Sequence, residues 1–495
     1  MNEPIKTRRV LQNWPFLAGI LIVIVYFCYF VLPSLNGGFR NDDALNIYYY
    51  WSRGPKALLQ AIVLFWTPYY RPMAGIYFYS IYEIFGLNPF PYHAVIVLLL
   101  FLNVILAYRC ATILSGSRIA GGLCSILIAY HANMALLAYV PAFIFDVICF
   151  TLYFAALVYY LRIRCSGRTL NMRQILFLLL IYIFALESKE MAVSLPAMIM
   201  VYEVLWHAPE RSAKSVLIWL RTGALPALVT GFLTVVFIIG KSTGPEALSK
   251  NPAYHITVSL RQFFETNLRY AREYFYLENI HWFSMLGFGI PLLISVWIIL
   301  AYIGLSRRKN HLTFSFAMIV IAALPIAFLP DRAGAVTYIP SFGWALITAS
   351  LIEGTCNFLS RHPFLRFMKI NSAKALLLLL AVGFIGLVTY YRNRYLIYSL
   401  THQDREFRLV KEQLEKLLPS VKPGTRIAFY NDIFRDWDAK FIAGLLYKDR
   451  SVSVRLNEKA PLKSAEWDKM DYVLAFEQEK LVILKRPGEI LNLPP

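Results

Sequence analysis

The feature that most constrains this chain is the alternation, from Trp14 to Tyr391, of long apolar runs with short basic segments. A helix that crosses a membrane needs about 20 mostly apolar residues, and it pairs all of its backbone polar groups internally. Runs that meet or approach this length lie at Trp14–Leu32, Tyr92–Tyr108, Ile119–His131, Val140–Leu161, Ile175–Glu187 and Met191–Leu205. They continue at Ala224–Ile239, Phe283–Leu305, Leu312–Leu329, Val336–Ile352 and Ala375–Tyr391. The pattern predicts about eleven spans. The first follows Lys6, Arg8 and Arg9, but its run is too long for a signal-peptide core and no small-residue cleavage site follows. It reads as an uncleaved span with its N-terminus inside.

The basic residues then set the orientation. Segments expected inside carry Arg109/Arg118, Arg162/Arg164/Arg168/Arg173, Arg211/Lys214/Arg221, Arg307/Arg308/Lys309 and Arg361/Arg366/Lys369/Lys374. With the N-terminus they hold about 19 Lys/Arg against Glu3, Glu203, Glu210 and Glu353, the positive-inside asymmetry. The chain has 49 Lys+Arg and 30 Asp+Glu, net +19. In a soluble protein that excess would suggest nucleic acid. Here most of it is an orientation signal, so no nucleic-acid partner is implied. Charged residues are 16% of the chain, against about a quarter in soluble domains, which excludes a cytosolic enzyme.

The expected fold is an all-α polytopic membrane protein with a small C-terminal α/β domain outside. Residues 1–391 form the transmembrane domain, with long outer loops at 33–91 and 241–281. In the first loop, Pro55–Trp66 and Pro72–Gly86 are apolar enough to lie as helices in the interface. Residues 392–495 are rich in charge and have no span. There Asp404–Leu418 reads as a polar helix, Ala439–Tyr447 as a second helix, and Arg426–Tyr430, Val452–Leu456, Tyr472–Phe476 and Leu481–Lys485 as strands. The six cysteines lie in spans or at their inner ends, so neither a disulfide framework nor a zinc site is implied.

Polar groups among apolar runs are the candidate site residues. Asp42 and Asp43 follow the first span; they serve either as an N-cap with its first turn or as a general base, and a carboxylate pair can also hold a divalent cation. Arg71, before Pro72, is either a snorkelling cation or a phosphate clamp. Glu187-Ser188-Lys189-Glu190 is costly between two apolar runs. It is either a local Lys–Glu pair, or Lys189 meets an anionic ligand and Glu190 orients it. Asp146, inside the fourth span, needs a partner. His131 ends the third span, and His93 reads as an interfacial or capping histidine. Asp331-Arg332 reads as a local pair. Arg261, Arg269 and Arg272 share a helical face with Glu265 and Glu273 in reach, either solvated or able to grip a phosphate. All these outer groups fall on one side under a topology drawn from loop charge alone.

At this point the sequence resembles the GT-C type of membrane glycosyltransferase, near the protein O-mannosyltransferase and transmembrane-and-tetratricopeptide-repeat branches. The likeness rests on Asp42-Asp43, on the stretch from Tyr70 to His93, on ALESKEMAVSLPAMIMVYE (Ala185–Glu203) and on VTYIPSFG (Val336–Gly343), with a weaker match from His131 to Tyr160. It covers roughly the first 350 residues. It implies transfer, with inversion, of a sugar from a polyprenyl-phosphate donor to an outer acceptor that is lipid, glycan or protein. Asp42 or Asp43 would be the base. Arg71, Lys189 and Glu190 would surround the donor phosphate, with Arg269, Arg272 and Arg332 as further cations and His93, His131, Asp146, Asp331 and Tyr338 in support. Related sequences often place an acidic-Arg-Tyr run directly before the Tyr-Leu-Pro-Ser segment. Here that register reads Gly334-Ala335-Val336, and Asp331-Arg332 stands three residues earlier. The tail has no 34-residue helical period, so it is no repeat array. The setting that fits is a bacterial inner membrane, with no certain cofactor. The competing readings are a transporter or lipid-linked-sugar flippase without transferase activity, and a non-catalytic scaffold. No repeat relates the two halves, as many transporters would require.

Overall fold

The computed structural model describes residues 5–40, 42–243, 256–278, 289–306, 309–329, 332, 334–365, 368–431, 439–458 and 460–489. Among these, seven helices are long and apolar enough to cross a membrane, or eight if the bent pair Arg118–Ala129 and Ala132–Tyr139 counts as one span. This is fewer than eleven, for a physical reason. The expected spans at 175–187 and 191–205 are helices Met172–Ser188 and Leu195–His207, of 17 and 13 residues, which meet at a polar turn. The run beginning at Phe283 lies partly outside the described residues; Gly289–Ser306 is its helical part. Asp331 also lies outside them.

Local chemistry explains where the helices stop. Pro89–Ser115 starts with Asn88, whose side chain accepts from Phe90 N–H, and Pro89 takes the first position, where no N–H is needed. It ends at Gly116, whose φ of 69° is the left-handed cap that glycine tolerates best. Ser117 then caps Arg118–Ala129. Asn171 and Gln174 form a reciprocal capping box at the start of Met172–Ser188.

The helix Ile144–Cys165 is the hub. In its most apolar stretch 72% of residues are buried, against 11% for Ile370–Tyr398, whose Leu379, Leu380, Phe384 and Leu387 face outward. The hub packs on Pro89–Ser115 and Met172–Ser188, while Tyr338–Leu359 packs on Arg118–Ala129 and Asn310–Ile321. Lipid is as apolar as leucine, so close packing and polar pairs, rather than water exclusion, hold such helices together.

Two helices lie between the first span and the next. Asp43–Val63 is kinked at Gly54, and Pro72–Phe85 packs beside it. The final span does not stop at residue 391. It continues as one 48-residue helix, Ile370–Leu417, whose polar end contacts the C-terminal unit. That unit is a four-stranded sheet of order β2-β1-β3-β4, formed by Arg426–Phe429 (β1), Ser453–Leu456 (β2), Tyr472–Glu477 (β3) and Lys480–Lys485 (β4). β1 lies parallel to β2 and β3, and β4 runs antiparallel to β3. Its helix Ala439–Leu446 docks on Asp43–Val63. Tyr82 donates to the Leu445 carbonyl at 2.5 Å, and Arg450 donates to Trp51 O at 3.0 Å. The C-terminal unit thus braces these two helices.

Candidate functional site

Successive helices reverse direction, so certain ends collect at one face. Asp146 lies in the first turn of Ile144–Cys165, Glu187 ends Met172–Ser188, Lys189 and Glu190 form the turn before Leu195–His207, and Lys241 ends Leu225–Ser242. Arg71 enters this group from the segment between the first two spans. Lys189 and Glu190 do not pair with each other. Lys189 Nζ meets Asp146 Oδ1 at 2.6 Å, and both are buried. Glu190 takes Arg71 in a two-pronged contact, Nε to Oε1 at 3.2 Å and Nη2 to Oε2 at 2.6 Å. Lys241 Nζ lies 3.2 Å from Glu187 Oε1 and donates to Tyr69 O at 2.8 Å. Neither Glu187 oxygen accepts a well-aligned hydrogen bond, although the carboxylate is fully buried. Burial alone would raise the Glu190 carboxyl, but the Arg71 charge and hydrogen bonds outweigh it and hold the group below its usual range.

The backbone aims Arg71. Its φ of 40° and ψ of 64° are left-handed, a costly conformation for a non-glycine residue. Tyr50 compensates: its hydroxyl lies 2.9 Å from Tyr70 O and 3.1 Å from Arg71 O. The Tyr50 ring sits on Gly75, where a Cβ would come within 2.7 Å of it. Across the group, Gly240 lets the span approach Trp66 so closely that a Cβ would fall 1.9 Å from Trp66 O. Between these anchors a pocket opens, lined by Tyr69, Tyr70, Arg71, Glu190, Phe237 and Lys241.

The aspartate pair is divided. Asp43 is fully buried, with Oδ2 accepting from Arg40 N at 2.8 Å and Oδ1 from Ala142 N at 2.6 Å. It ties the segment after the first span to the bundle. Asp42 is exposed at the N-cap position, and its side chain makes no capping bond. His93 is buried between Ala138 O and Gly38 O, at 3.2 and 3.3 Å, which fits a clamp on the loop that leads to this pair.

The remaining candidates lie elsewhere. His131 stands at the bend between the paired helices, stacked on Tyr274 and Tyr276, with Nε2 2.9 Å from Tyr274 O. Tyr338 stacks on Phe150 and shares a cavity with His131. Arg269 and Arg332 act electrostatically on Tyr270, which lies beside Glu273 on helix Leu260–Tyr274. Glu273 accepts from Gly334 N at 2.8 Å. Its carboxyl is raised first by burial, against that hydrogen bond, and further by Glu278. Arg272 reaches the Glu278 carbonyl at 3.4 Å. Arg261 pairs with Glu265 on an exposed face. Among the described residues no group of three or more His, Cys, Asp or Glu is placed to hold a metal.

A second buried ion pair closes the opposite end of the hub helix. Arg164 binds Glu203 with Nε to Oε1 at 2.6 Å and Nη2 to Oε2 at 2.9 Å, and Tyr160 donates to Glu203 at 2.5 Å. Every carboxylate oxygen there is satisfied.

Sequence reasoning missed Lys241 and Tyr50. Lys241 looks like any cation ending an apolar run; its one signal is that it ends on the same face as Glu187. Tyr50 is one of three consecutive tyrosines, and nothing in the sequence separates it from the other two.

No protein family and no curated relative matches the sequence. Among solved structures, ArnT from Cupriavidus metallidurans bound to undecaprenyl phosphate aligns with a TM-score of 0.51 at 12% identity, over 95% of this chain and 98% of that one. The apo state of the same protein gives 0.50 at 13% identity, over 94% and 93%. At this identity the likeness establishes the fold, a GT-C-like bundle with its C-terminal α/β unit. It carries no assignment to the O-mannosyltransferase branch.

Proposed function

We propose that this protein is an inverting membrane glycosyltransferase that moves a sugar from a polyprenyl-phosphate donor to an acceptor hydroxyl on the outer face. The observation that carries this reading is the pocket between Arg71 and Lys241, built where span ends meet the outer helices. The fold adds support, since the ArnT structure that shares it holds undecaprenyl phosphate. Arg71 would grip the donor phosphate. Asp42, the exposed member of the pair, would take the proton of the acceptor hydroxyl as its oxygen attacks the anomeric carbon. The bond from that carbon to the phosphate oxygen breaks, and the lipid phosphate leaves with the electron pair. It needs charge stabilisation more than protonation, which fixed cations supply in a site of low dielectric. Asp146 and Lys189 would hold the turn that carries Glu190. The sugar would be a hexose of the mannosyl type, the acceptor a lipid, glycan or protein, and the membrane a bacterial inner membrane with the C-terminal unit outside.

The test uses purified protein in lipid nanodiscs with a panel of polyprenyl-phosphate sugars and candidate acceptors. Donor consumption abolished by Asp42→Asn or Arg71→Met is expected. Transfer that survives both substitutions would sink the assignment.

A further inference from the structure

Transfer changes the charge of the lipid phosphate. The donor is a phosphodiester with one negative charge, and the leaving lipid phosphate is a monoester that carries a second. The reaction conserves charge: acceptor hydroxyl plus sugar phosphodiester gives glycoside, monoester dianion and one proton, which the base removes. Something in the pocket must answer the second charge. We propose that Lys241 is that group, with Glu187 as its counter-ion. The proposal rests on the reading above and names a residue and a ligand charge state within it.

Three observations converge. Lys241 and Arg71 line the same pocket, whereas Lys189 does not line it and is buried against Asp146. Lys241 has three N–H donors; Tyr69 O takes one, Glu187 stands 3.2 Å away without a well-aligned hydrogen bond, and the Phe237 ring lies 5.3 Å from Nζ. Glu187 is fully buried yet poorly hydrogen-bonded, so it balances the lysine charge without fixing the ammonium in place. The inner Arg164–Glu203 pair shows the contrasting arrangement, with each oxygen bound. Glu190, by comparison, occupies the two-pronged face of Arg71 that a phosphate would take, and it is the more exposed partner, at 31%. The ligand is specified as a lipid by its surroundings. Phe232, Val235, Ile238 and Ile239, on the same helix as Lys241, are all at least half exposed.

The experiment measures equilibrium binding in nanodiscs of decaprenyl phosphate, of its methyl phosphodiester and of inorganic phosphate. The wild type is expected to prefer the monoester by at least about tenfold, the scale of one hydrogen bond to a charged group. Lys241→Gln should erase that preference and leave diester binding nearly unchanged, and Lys241→Arg should retain it. Glu187→Gln should tighten monoester binding, because the lysine then has no competing anion. If Lys241 only braces the Tyr69 loop, Glu187→Gln weakens both lipids alike, and that result would overturn the proposal. So would a monoester preference intact in Lys241→Gln. Competition by inorganic phosphate at equal concentration would overturn the assignment to a lipid. The two readings fail separately. A Lys241-dependent preference without sugar transfer removes the transferase, and transfer without that preference removes Lys241.

Discussion

Two buried ion-pair clusters cap the same helix and are built for different ends. Asp146 and Arg164 stand 18 residues apart in Ile144–Cys165, about 27 Å along its axis. At the Arg164 end the guanidinium, Glu203 and Tyr160 satisfy one another, and Gly223 closes over them, where a Cβ would come within 2.6 Å of Glu203. At the Asp146 end three cations and three carboxylates cluster beside a pocket that Arg71, Glu190 and Lys241 line, with a strained arginine and an acid with poor hydrogen bonds. A saturated buried pair fastens helices. An incompletely satisfied one keeps donors for something else.

The sharpest way to break this contrast is to delete each arginine. Arg71→Met should cut transfer by about 10²- to 10³-fold, the scale of one lost oxyanion donor, with most of the protein still folded. Arg164→Met should instead destabilise the fold by about 3–5 kcal/mol, because Glu203 is left buried and unpaired. Turnover per folded molecule should hold. Thermal melts paired with initial rates separate the two. The double variant Arg164→Met/Glu203→Leu should recover most of the lost stability, whereas Arg71→Met/Glu190→Leu should recover no activity. Equal rescue at both ends would abolish the distinction.

Next comes the divided aspartate pair. Asp42→Asn should lower kcat by about 10²- to 10⁴-fold at nearly unchanged melting temperature. Asp43→Asn should act mainly on stability, since its two oxygens hold the Arg40 and Ala142 amides. Reversed effects would exchange their roles. Gly223→Ala should cost about 1–3 kcal/mol by overpacking the saturated cluster, read from the same melts. Tyr50→Phe removes the hydroxyl that holds Arg71 in its left-handed conformation. A loss of about 1 kcal/mol, or roughly fivefold in rate, is expected. The smallest effect is in pH. Glu190 is held below its usual range, so its pairing with Arg71 contributes fully above about pH 4.3 and is lost only as pH falls through the lowered value. The stability difference between wild type and Glu190→Gln should therefore stay constant down to about pH 5 and shrink only below it, read as the difference in melting temperature.

Much of this was legible in the sequence, and the rest was hidden for definite reasons. Apolar runs marked the bundle, because a membrane span must be continuous. Two of the runs, at 175–187 and 191–205, are short helices that meet at the Glu187–Glu190 turn. That turn drew attention because charge among apolar residues is costly. Its partners did not, because Lys189 pairs 43 residues away and Glu190 pairs 119 residues away. Asp42 and Asp43 are chemically identical in sequence, and only the amides of Arg40 and Ala142 tell them apart. His93, expected at the interface or as a cap, is instead buried between Ala138 O and Gly38 O, while Asn88 caps its helix.

The unbroken helix from Ile370 to Leu417 makes the molecule angularly sensitive. Its 48 residues rise about 72 Å, and only about 30 Å can lie in hydrocarbon. It therefore acts as a keyed shaft that sets both the height and the heading of the sheet above the bilayer. Deleting one residue from its polar half would lower the sheet by about 1.5 Å but turn it by about 100°. That turn would draw Leu445 and Arg450 away from Tyr82 and Trp51 and unseat the brace on helices Asp43–Val63 and Pro72–Phe85, although no substitution had touched the pocket.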